Sequence, residues 1–368
     1  MKKILFLTLK VFSATGGIEK VCRVAAKALN EIDSKDDNGL QIFSMHDKNE
    51  DGVNNKYFPA QIFRGFAKAR TSFVLSSVKA GSKAGTVILS HINLLLVGWL
   101  IKKISPATKL ILLAHGIEVW DNLPFLKKKM LHACDEIFCV SSYTATFIQQ
   151  QHGIAASKCK VLNNCLDPFL PAPALNNNKN ILSQYGIKTG DPVLFMLTRL
   201  AGTERRKGYD KVIAAIAKLK NNFPNIRYVI AGKSDAAEKN YLQQLINSLG
   251  LQGHVIFTGY IADEEIAAYF QSADIYVMPS KKEGFGIVFI EAMYYGLPVI
   301  AGNKDGSVDA LAKGALGILI DPDDTTAIYN AIKKVLENKN AFIPNRELLI
   351  KLFSFETYKN NLERLLKN

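Results

Sequence analysis

The sequence predicts an α/β protein of two Rossmann-like domains, each built on a doubly wound parallel sheet. Three observations support this prediction. Short apolar segments alternate with longer segments of helical periodicity. This alternation stops at a Pro- and Asn-rich stretch near the middle of the chain and then starts again. With 368 residues, the chain is too long for one typical core and long enough for two.

The first domain is predicted over residues 1–170. Its first strand candidate, KILFLTL, precedes GGIEKVCRVAAKALNEI, which has apolar residues at helical spacing: Val21, Val24, Ala25, Ala28 and Leu29. Further strand candidates are TVILSH, KLILLAHG and EIFCVS. Each is apolar on successive residues, which is typical of strands whose sheet is covered by helices on both faces.

The stretch PFLPAPALNNNKNILSQYG is predicted to be a linker, followed by a second domain over residues 171–351. Its strand candidates are PVLFMLTRL, IRYVIAGK, VIFTGY, IYVMPS and LGILI. Helical patterns lie between them in KGYDKVIAAIAKLK, AAEKNYLQQLINSLG and DEEIAAYFQSA. The end of the chain, residues 352–368, has the pattern of an amphipathic helix that can pack back on the first domain.

The composition is that of a soluble globular protein, with 48% hydrophobic and 21% charged residues. The longest apolar run, from Ile92 to Ile101, falls short of the roughly 20 residues that span a bilayer. No cleavage site of a signal peptide follows the basic start. We therefore expect a cytoplasmic protein, with a peripheral position on the inner face of the cytoplasmic membrane left open.

The five cysteines are widely spaced and include no CxxC pair. Such a pattern argues against a disulfide framework or a zinc site and favours small buried side chains. No HxxxH motif or Cys/His cluster suggests a metal. Asp321, Asp323 and Asp324 are expected to form a turn and a helix cap.

The formal net charge of +13 is unevenly distributed. Residues 52–134 contain twelve lysines and arginines but only Glu118 and Asp121 as acids. Such a concentration suggests an acidic partner: membrane phospholipid, a lipid diphosphate or nucleic acid. A merely solvated basic face is the alternative.

Ligands of doubly wound sheets bind beyond the carboxyl ends of the strands, so the residues that follow strands are the candidates for a site. After IYVMPS comes EGFG, and IVFIEAMYYG then has helical spacing. Gly284 and Gly286 would expose amide groups at the helix start, which suits an anion. Glu283 and Glu291, about 12 Å apart along such a helix, would accept hydrogen bonds from hydroxyl groups at the two ends of one extended ligand. Hydroxyl groups around a phosphate describe a nucleotide sugar.

A second candidate segment is TRLAGTERRKGYD. Arg199 is expected to end a strand, and Lys207-Gly208 to open the next helix. Two cations around such a loop suit a diphosphate, Arg as a fork and Lys as a point charge. Arg205 and Arg206 are expected to be additional, solvent-exposed side chains of this loop, and a merely solvated basic loop is the alternative.

The first domain offers Gly16-Gly17 between its first strand and helix, in the manner of a loop that approaches phosphate. His115, before Gly116, is expected at the carboxyl end of a strand and is a candidate catalytic residue. His91 ends another strand candidate and is a second, weaker choice.

Taken together, these residues resemble the large glycosyltransferase family 4, also called group 1, whose members have the GT-B fold: two Rossmann-like domains that face a central cleft. The resemblance extends over nearly the whole chain and is strongest over residues 193–320. Its E-x7-E element matches Glu283 and Glu291, and its arginine–lysine pair matches Arg199 and Lys207. VLNNCLD, residues 161–167, is similar to the PNGVD segment of the family, although Cys165 stands where glycine is usual.

The resemblance implies roles for these residues. Glu283 would bind the sugar hydroxyl groups, the amides of Gly284, Phe285 and Gly286 the sugar and phosphate, and Glu291 the ribose. Arg199 and Lys207 would neutralise the diphosphate, so that no metal or other cofactor is expected. His115 would lie beside the transferred sugar. Gly16 and Gly17 would border the phosphates and the acceptor, and the main chain near Tyr260 and Ile261 would contact the nucleobase.

The implied activity is retaining transfer of a hexose from a nucleotide sugar to a glycan or a polyprenyl-diphosphate-linked oligosaccharide, in cell-surface polysaccharide assembly. Mannose from GDP-mannose is the first choice, and a UDP-sugar the alternative. No second-face nucleophile is evident, which favours a front-face mechanism. Lys127–Lys129 with Phe63, Phe66 and Phe73 are expected to meet an anionic membrane.

Two other readings remain open. The first is another GT-B enzyme, an epimerase or a phosphorylase. The second is a non-catalytic protein that binds membrane or nucleic acid through its basic half. A protein that only binds membrane or nucleic acid does not need cations such as Arg199 and Lys207 arranged around a diphosphate, so we expect no nucleic-acid partner.

Overall fold

The structure is a computed structural model that describes residues 3–33, 39–173 and 180–367. The chain divides into two compact units. The N-terminal unit comprises Met1–Pro168 and Phe353–Asn368, and the C-terminal unit comprises Phe169–Leu352. Of the stretch predicted to be a linker, residues 174–179 lie outside the described residues.

The N-terminal unit contains a parallel sheet with seven strands among its described residues. The strands are β1 (Ile4–Thr8), β2 (Gln41–Ser44), β3 (Phe63–Gly65), β4 (Thr86–Leu89), β5 (Lys109–Ala114), β6 (Glu136–Cys139) and β7 (Cys159–Val161). Their order is β3-β2-β1-β4-β5-β6-β7. Each segment that the sequence analysis proposed as a strand here is a strand in the structure.

Helices connect these strands and cover both faces of the sheet. They are α1 (Gly17–Asp33), α2 (Arg70–Gly81), α3 (Leu95–Ile104), α4 (Ile117–Trp120), α5 (Phe125–His132) and α6 (Ser142–His152). Short 3-10 helices lie at Glu50–Gly52, Ala60–Ile62, Ile92–Leu94 and Ala156–Lys158.

The C-terminal unit contains a second parallel sheet, with six strands among the residues that the structure describes there. They are β8 (Val193–Leu197), β9 (Arg227–Ala231), β10 (Val255–Gly259), β11 (Ile275–Met278), β12 (Val299–Gly302) and β13 (Ile318–Ile320). Their order, β10-β9-β8-β11-β12-β13, is that of a doubly wound dinucleotide-binding sheet.

Helices again lie between the strands of this sheet. They are α7 (Asn180–Ser183), α8 (Tyr209–Leu219), α9 (Ala236–Ser248), α10 (Ile266–Ser272), α11 (Ile287–Tyr294), α12 (Ser307–Ala310), α13 (Thr325–Glu337) and α14 (Arg346–Phe353). The 3-10 helices of the unit are Gly202–Lys207, Ala312–Gly314 and Lys339–Phe342. As expected, Asp324 caps a helix, since its Oδ1 accepts from the N–H groups of Thr326 and Ala327 at the start of α13.

The last helix, α15 (Phe355–Lys367), packs on α1 of the N-terminal unit. Its apolar face joins the cluster on one side of the sheet, with Phe355, Tyr358 and Leu362 against residues of α1. Lys359 Nζ also lies 2.9 Å from Glu31 Oε2. Successive residues of β1 alternate between this cluster and the one on the opposite face, because neighbouring side chains of a strand point to opposite sides.

In both sheets the chain reverses its direction of winding beside the first strand of the unit. Loops that leave neighbouring strands at this point diverge and open a crevice at the carboxyl edge. In the C-terminal sheet, the strands concerned are β8 and β11; in the N-terminal sheet, they are β1 and β4. The fold therefore brings the segments after β8 and β11 together, although they are far apart in sequence.

The structure corrects one expectation about the surface. Phe63, Phe66 and Phe73, expected to face a membrane, are buried in the core of the N-terminal unit. Phe63 and Phe66 belong to β3 and its continuation, and Phe73 is the inward residue of α2. Exposed apolar side chains occur instead at Phe125 and Leu126.

Four of the cysteines are buried free thiols and Cys159 is half-buried, in line with the expectation of small packed side chains. Among the described residues, no helix has the length and apolar character needed to cross a bilayer.

Candidate functional site

The sequence candidates of the C-terminal unit follow its two central strands, β8 and β11. The chain leaves β8 through Arg199 and the 3-10 helix Gly202–Lys207, and it leaves β11 through the loop that contains Glu283. An ion pair joins the two segments: Lys207 Nζ lies 2.7 Å from Glu283 Oε2. The two residues are 76 positions apart in sequence and meet at the crevice where nucleotides bind in sheets of this order.

Both side chains of this ion pair are largely withdrawn from solvent, with 19% of Lys207 and 17% of Glu283 exposed. Burial alone lowers the pKa of the Lys207 amine, but the Glu283 carboxylate outweighs it and raises the pKa above its ordinary value. Lys207 is therefore a fixed cation at neutral pH, and the pair presents a positive and a negative group side by side.

Gly208 allows the Lys207 segment to approach β11 closely. Its φ is 80°, and a Cβ at this position would lie 2.6 Å from the carbonyl oxygen of Pro279. The N–H of Lys281 also donates to the carbonyl oxygen of Arg206, at 2.9 Å. The end of the 3-10 helix is thus held against the loop that carries Glu283.

Arg205 anchors the same 3-10 helix on its other side. Its Nη2 lies 2.8 Å from Oε2 of Glu238, and its Nε lies 2.9 Å from Oε1. Glu238 is buried in α9 and also accepts from the Tyr209 hydroxyl at 2.9 Å. Arg205 is exposed, as expected, but it is also a structural anchor, because it neutralises a buried carboxylate. Arg206 is bound within its own segment, by Glu204 and the carbonyl oxygen of Thr203.

Arg199 lies two residues beyond the end of β8 and is exposed. The chain around it is fixed by its neighbours: Leu200 forms a bridge with Ser234, and the N–H of Thr198 donates to the carbonyl oxygen of Ala231. The structure thus places Arg199 and Lys207 in one segment at the carboxyl edge of the sheet.

The loop Glu283–Gly286 leads directly into α11, as expected. Gly286 has a φ of 85°, and a Cβ there would lie 2.4 Å from the ring of Phe289. Gly284 and Phe285 are buried within this loop. Glu291 is the fifth residue of α11 and is only 2% exposed, which the sequence did not predict. Because the Glu291 carboxylate is almost completely surrounded by protein, a ribose that binds it must cover the small part that remains exposed.

Tyr260 and Ile261 follow the edge strand β10. The Tyr260 ring is 55% exposed, and Lys233 Nζ lies 5.1 Å from its centroid. The Ile261 side chain is buried. The segment therefore offers an exposed aromatic face beside a cation, at the same carboxyl edge as the other candidates.

In the N-terminal unit, Gly16 ends the loop after β1, and Gly17 is the first residue of α1. Neither has a positive φ among the described residues, so the glycines are not required by backbone conformation. A Cβ on Gly17 would meet nothing within 4 Å, which leaves open space beside the main chain. Buried Asp47, which the sequence analysis missed, holds this loop: its carboxylate accepts from the N–H groups of Val11 at 2.6 Å and Ser13 at 2.7 Å.

His115 follows β5 and is nearly buried. Its Nε2 lies 2.7 Å from the carbonyl oxygen of Ser90 and must carry hydrogen, because a carbonyl group only accepts. In the neutral ring, Nδ1 is then an acceptor, and this buried atom has no hydrogen-bond partner among the described residues. Glu118 Oε1 accepts the His115 main-chain N–H at 2.6 Å and fixes the start of the turn.

The ring of His91, the second histidine candidate, is already hydrogen-bonded within its own turn. Its Nδ1 accepts from the N–H of Asn93 at 3.0 Å. Burial, with smaller contributions from His115 and Lys127, lowers the pKa of His91 to about 4, so the ring is neutral at pH 7. Across the described ranges of both units, no group of three or more His, Cys, Asp or Glu residues is arranged to hold a metal ion.

Comparison with known proteins shows what this chain is similar to. Residues 177–351 match the family model described as glycosyl transferases group 1. A GDP-mannose-dependent alpha-(1-6)-phosphatidylinositol monomannoside mannosyltransferase from Mycolicibacterium smegmatis is 31% identical over 242 residues, which are 62% of this chain and 61% of the relative. A 2-deoxystreptamine glucosyltransferase from Streptomyces kanamyceticus is 26% identical over 203 residues, 55% of this chain and 51% of the relative.

The match to the mannosyltransferase thus spans about three fifths of that relative's length. Among solved structures, the HepE protein of Anabaena in complex with UDP superposes with a TM-score of 0.82 at 22% identity, and the match covers 100% of both chains. That likeness extends to both units and concerns the fold. Through residues 177–351, the chain matches the glycosyl transferases group 1 family, and each of its two units has the Rossmann-like parallel sheet of the GT-B fold.

Proposed function

We propose that this chain is a glycosyltransferase that binds a nucleotide-diphosphate sugar at the carboxyl edge of its C-terminal unit and transfers a hexose with retention of configuration. The observation that carries the proposal is the Lys207–Glu283 ion pair between the loops after β8 and β11. It places a diphosphate-binding cation beside a carboxylate that accepts sugar hydroxyl groups.

In the reaction we propose, a hydroxyl oxygen of the acceptor forms a bond to the anomeric carbon while the bond from that carbon to the diphosphate oxygen breaks. The departing oxygen takes the electron pair, and the acceptor proton passes to the diphosphate. Negative charge grows on the leaving group, and Lys207, with exposed Arg199, supplies fixed positive charge to stabilise it. Because these cations belong to the chain itself, we propose that transfer needs no metal ion.

The donor is proposed to be GDP-mannose, on the strength of the relative named as a GDP-mannose-dependent mannosyltransferase. A UDP-sugar is the alternative, because the structurally similar HepE protein was solved with UDP. Thermal unfolding with UDP, GDP and ADP at equal concentrations decides between them. At 100 times the dissociation constant, the preferred nucleotide should raise Tm by about 5 °C.

Glu291→Ala tests the proposed ribose contact in the same assay. We expect the nucleotide shift to be lost in this variant and kept in Glu264→Ala, which removes an exposed carboxylate of the same unit. If no nucleotide shifts the wild-type Tm, donor binding fails, and with it the proposed function. If Glu291→Ala keeps the full shift, the ribose contact alone is wrong.

The acceptor is proposed to be a glycan or a polyprenyl-diphosphate-linked oligosaccharide for cell-surface polysaccharide, bound by the N-terminal unit at an anionic membrane surface. What supports this is the start of α5: Phe125 is 84% exposed and Leu126 57%, directly before Lys127–Lys129. Exposed apolar side chains next to lysines are typical of segments that enter the headgroup region of anionic membranes.

Co-sedimentation with phosphatidylglycerol-containing vesicles tests the membrane proposal. Replacing both Phe125 and Leu126 by alanine removes two exposed apolar side chains and should weaken binding at least about tenfold. Ile343→Ala, which trims an exposed apolar side chain of the C-terminal unit, is the control. Equal binding by all three proteins would refute the surface.

A further inference from the structure

A buried aspartate on a neighbouring loop holds the main chain of Glu283. Asp305 follows β12 and is fully buried. Its Oδ2 accepts from the N–H of Glu283 at 2.7 Å, and its Oδ1 accepts from the N–H of Ser307 at 2.9 Å. The next residue, Gly306, donates its N–H to the carbonyl oxygen of Glu283 at 2.8 Å. Both main-chain polar groups of Glu283 are therefore bound by two successive residues of one loop.

The two loops approach each other so closely that Gly306 leaves no room for a side chain. A Cβ on Gly306 would lie 2.0 Å from the carbonyl oxygen of Gly284 and 2.8 Å from that of Glu283. These contacts are with main-chain atoms, which cannot move aside as a flexible side chain can. The position of the Glu283 loop is thus set by the loop after β12 as much as by its own sequence.

The negative charge of the Asp305 carboxylate is destabilising in this buried position. Burial raises its pKa to about 7, and the nearby Glu283 carboxylate adds to the rise, although hydrogen bonds from Ser307 oppose it. An asparagine would fill nearly the same volume without this electrostatic cost. What the aspartate adds is a second acceptor oxygen, so that both N–H groups are satisfied at once by charge-assisted bonds.

We propose that Asp305 is a positioning residue: its two carboxylate oxygens fix the main chain of Glu283 and thereby the direction in which Glu283 and its partner Lys207 face a nucleotide sugar. This inference rests on the proposed function of the Glu283–Lys207 pair. It assigns Asp305 no contact with the substrate, since the hydrogen bonds of its carboxylate go to protein N–H groups.

Two variants and one control test the proposal. Asp305→Asn keeps the size of the side chain but sets an amide N–H₂ against one of the two N–H groups, and Asp305→Ala removes both acceptors. We expect kcat to fall by about 10- to 100-fold in both, because a small misplacement at a reacting centre costs that much. The dissociation constant for the nucleoside diphosphate should change by less than about threefold, because Arg199 and Lys207 keep their charges. Glu347→Gln, which alters an exposed carboxylate of α14, should leave kcat unchanged.

A merely structural role predicts a different result. In that case Asp305→Asn would lower Tm and the folded fraction, while kcat per folded molecule, counted by nucleotide binding, would equal that of the wild type. That outcome overturns the proposal.

A crystal structure of Asp305→Asn supplies a readout without activity. We expect Glu283 to shift and its separation from Lys207 Nζ to depart from 2.7 Å by about 1 Å or more. An unmoved Glu283 overturns the proposal. If the wild type itself cleaves no nucleotide sugar, the proposed function fails, and the position of Glu283 in the variant still decides whether Asp305 fixes it.

Discussion

Lys207 and Glu283 form an ion pair of 2.7 Å between the two loops at which the winding of the C-terminal sheet reverses. In this pair, the Glu283 carboxylate competes with a diphosphate for Lys207, and the Lys207 amine competes with sugar hydroxyl groups for Glu283. A diphosphate must share Lys207 with Glu283, and sugar hydroxyl groups must share Glu283 with Lys207. Loss of the Glu283 carboxylate should therefore strengthen binding of the nucleotide and weaken binding of the sugar. A site that only supplies positive charge would not show these opposite effects.

Glu283→Gln should therefore separate nucleotide binding from transfer. The variant releases Lys207 from its carboxylate partner, so GDP or UDP should bind about 3- to 10-fold more tightly, a gain of about 1 kcal/mol. Transfer should fall at least about 100-fold, because the contact to the sugar is lost. Isothermal titration calorimetry and steady-state kinetics measure the two effects, with Glu264→Gln as an exposed control. Weaker binding of the bare nucleotide by Glu283→Gln would contradict the sharing of Lys207.

Arg205→Ala should destabilise the C-terminal unit. It leaves the carboxylate of Glu238 buried with the Tyr209 hydroxyl but without its cation. Because 43% of the Arg205 side chain is exposed, we expect the free energy of unfolding to fall by less than it would for a fully buried pair. Urea unfolding measures it, and Lys239→Ala on the surface of α9 is the control. The double variant Arg205→Ala/Glu238→Gln should recover part of the loss; a strictly additive loss would refute the coupling.

Asp305 should make the stability depend on pH. Its pKa in the folded protein is raised to about 7, above the value of about 4 for an unfolded aspartate. Its contribution to the free energy of unfolding is therefore full below about pH 4 and is lost as the pH rises through 7. The difference in unfolding free energy between wild type and Asp305→Asn should fall between pH 5 and pH 7.5 and then level off. Urea titrations across that range check this, and a difference that rises with pH would contradict the direction of the shift.

His115→Ala should reduce transfer and leave nucleotide binding intact. The free acceptor atom Nδ1 is the feature that a sugar hydroxyl group can use, and the Ser90 contact through Nε2 keeps the ring in place. We expect kcat to fall about 100-fold or more, with the dissociation constant of GDP or UDP within about twofold. His91→Ala is the comparison, since the Nδ1 of that ring is occupied by the N–H of Asn93. Equal losses in both variants would argue against a specific role for His115.

The sequence was sufficient to predict the strands and helices that place the candidate site. Apolar runs such as those of β5 and β9 are buried on both faces and need no tertiary information to be recognised. The sequence assigned Lys207 and Glu283 to one ligand but did not predict their ion pair, which depends on the loops after β8 and β11 lying side by side.

Other features depend on tertiary contacts that no local pattern encodes. The sequence around an aromatic residue such as Phe63 does not show whether its side chain lies on the surface or in the core, because that depends on tertiary packing. The sequence did not show that Arg205 neutralises Glu238, because the two residues are 33 positions apart and belong to different elements. Asp305 could have been suspected, since it follows a strand at the carboxyl edge, yet its two acceptor contacts depend on the close approach of the loops after β11 and β12.

Whether Lys207 stabilises a departing diphosphate without a metal is measured by release of nucleoside diphosphate from a panel of nucleotide sugars, including GDP-mannose, UDP-glucose, UDP-galactose and UDP-N-acetylglucosamine. The panel is run with excess EDTA for wild type, Lys207→Ala and the exposed control Lys218→Ala. We expect release from one donor class, undiminished by EDTA, equal in Lys218→Ala and reduced about 100-fold or more in Lys207→Ala. Release that is equal in all three proteins, or absent from every donor, would contradict this expectation.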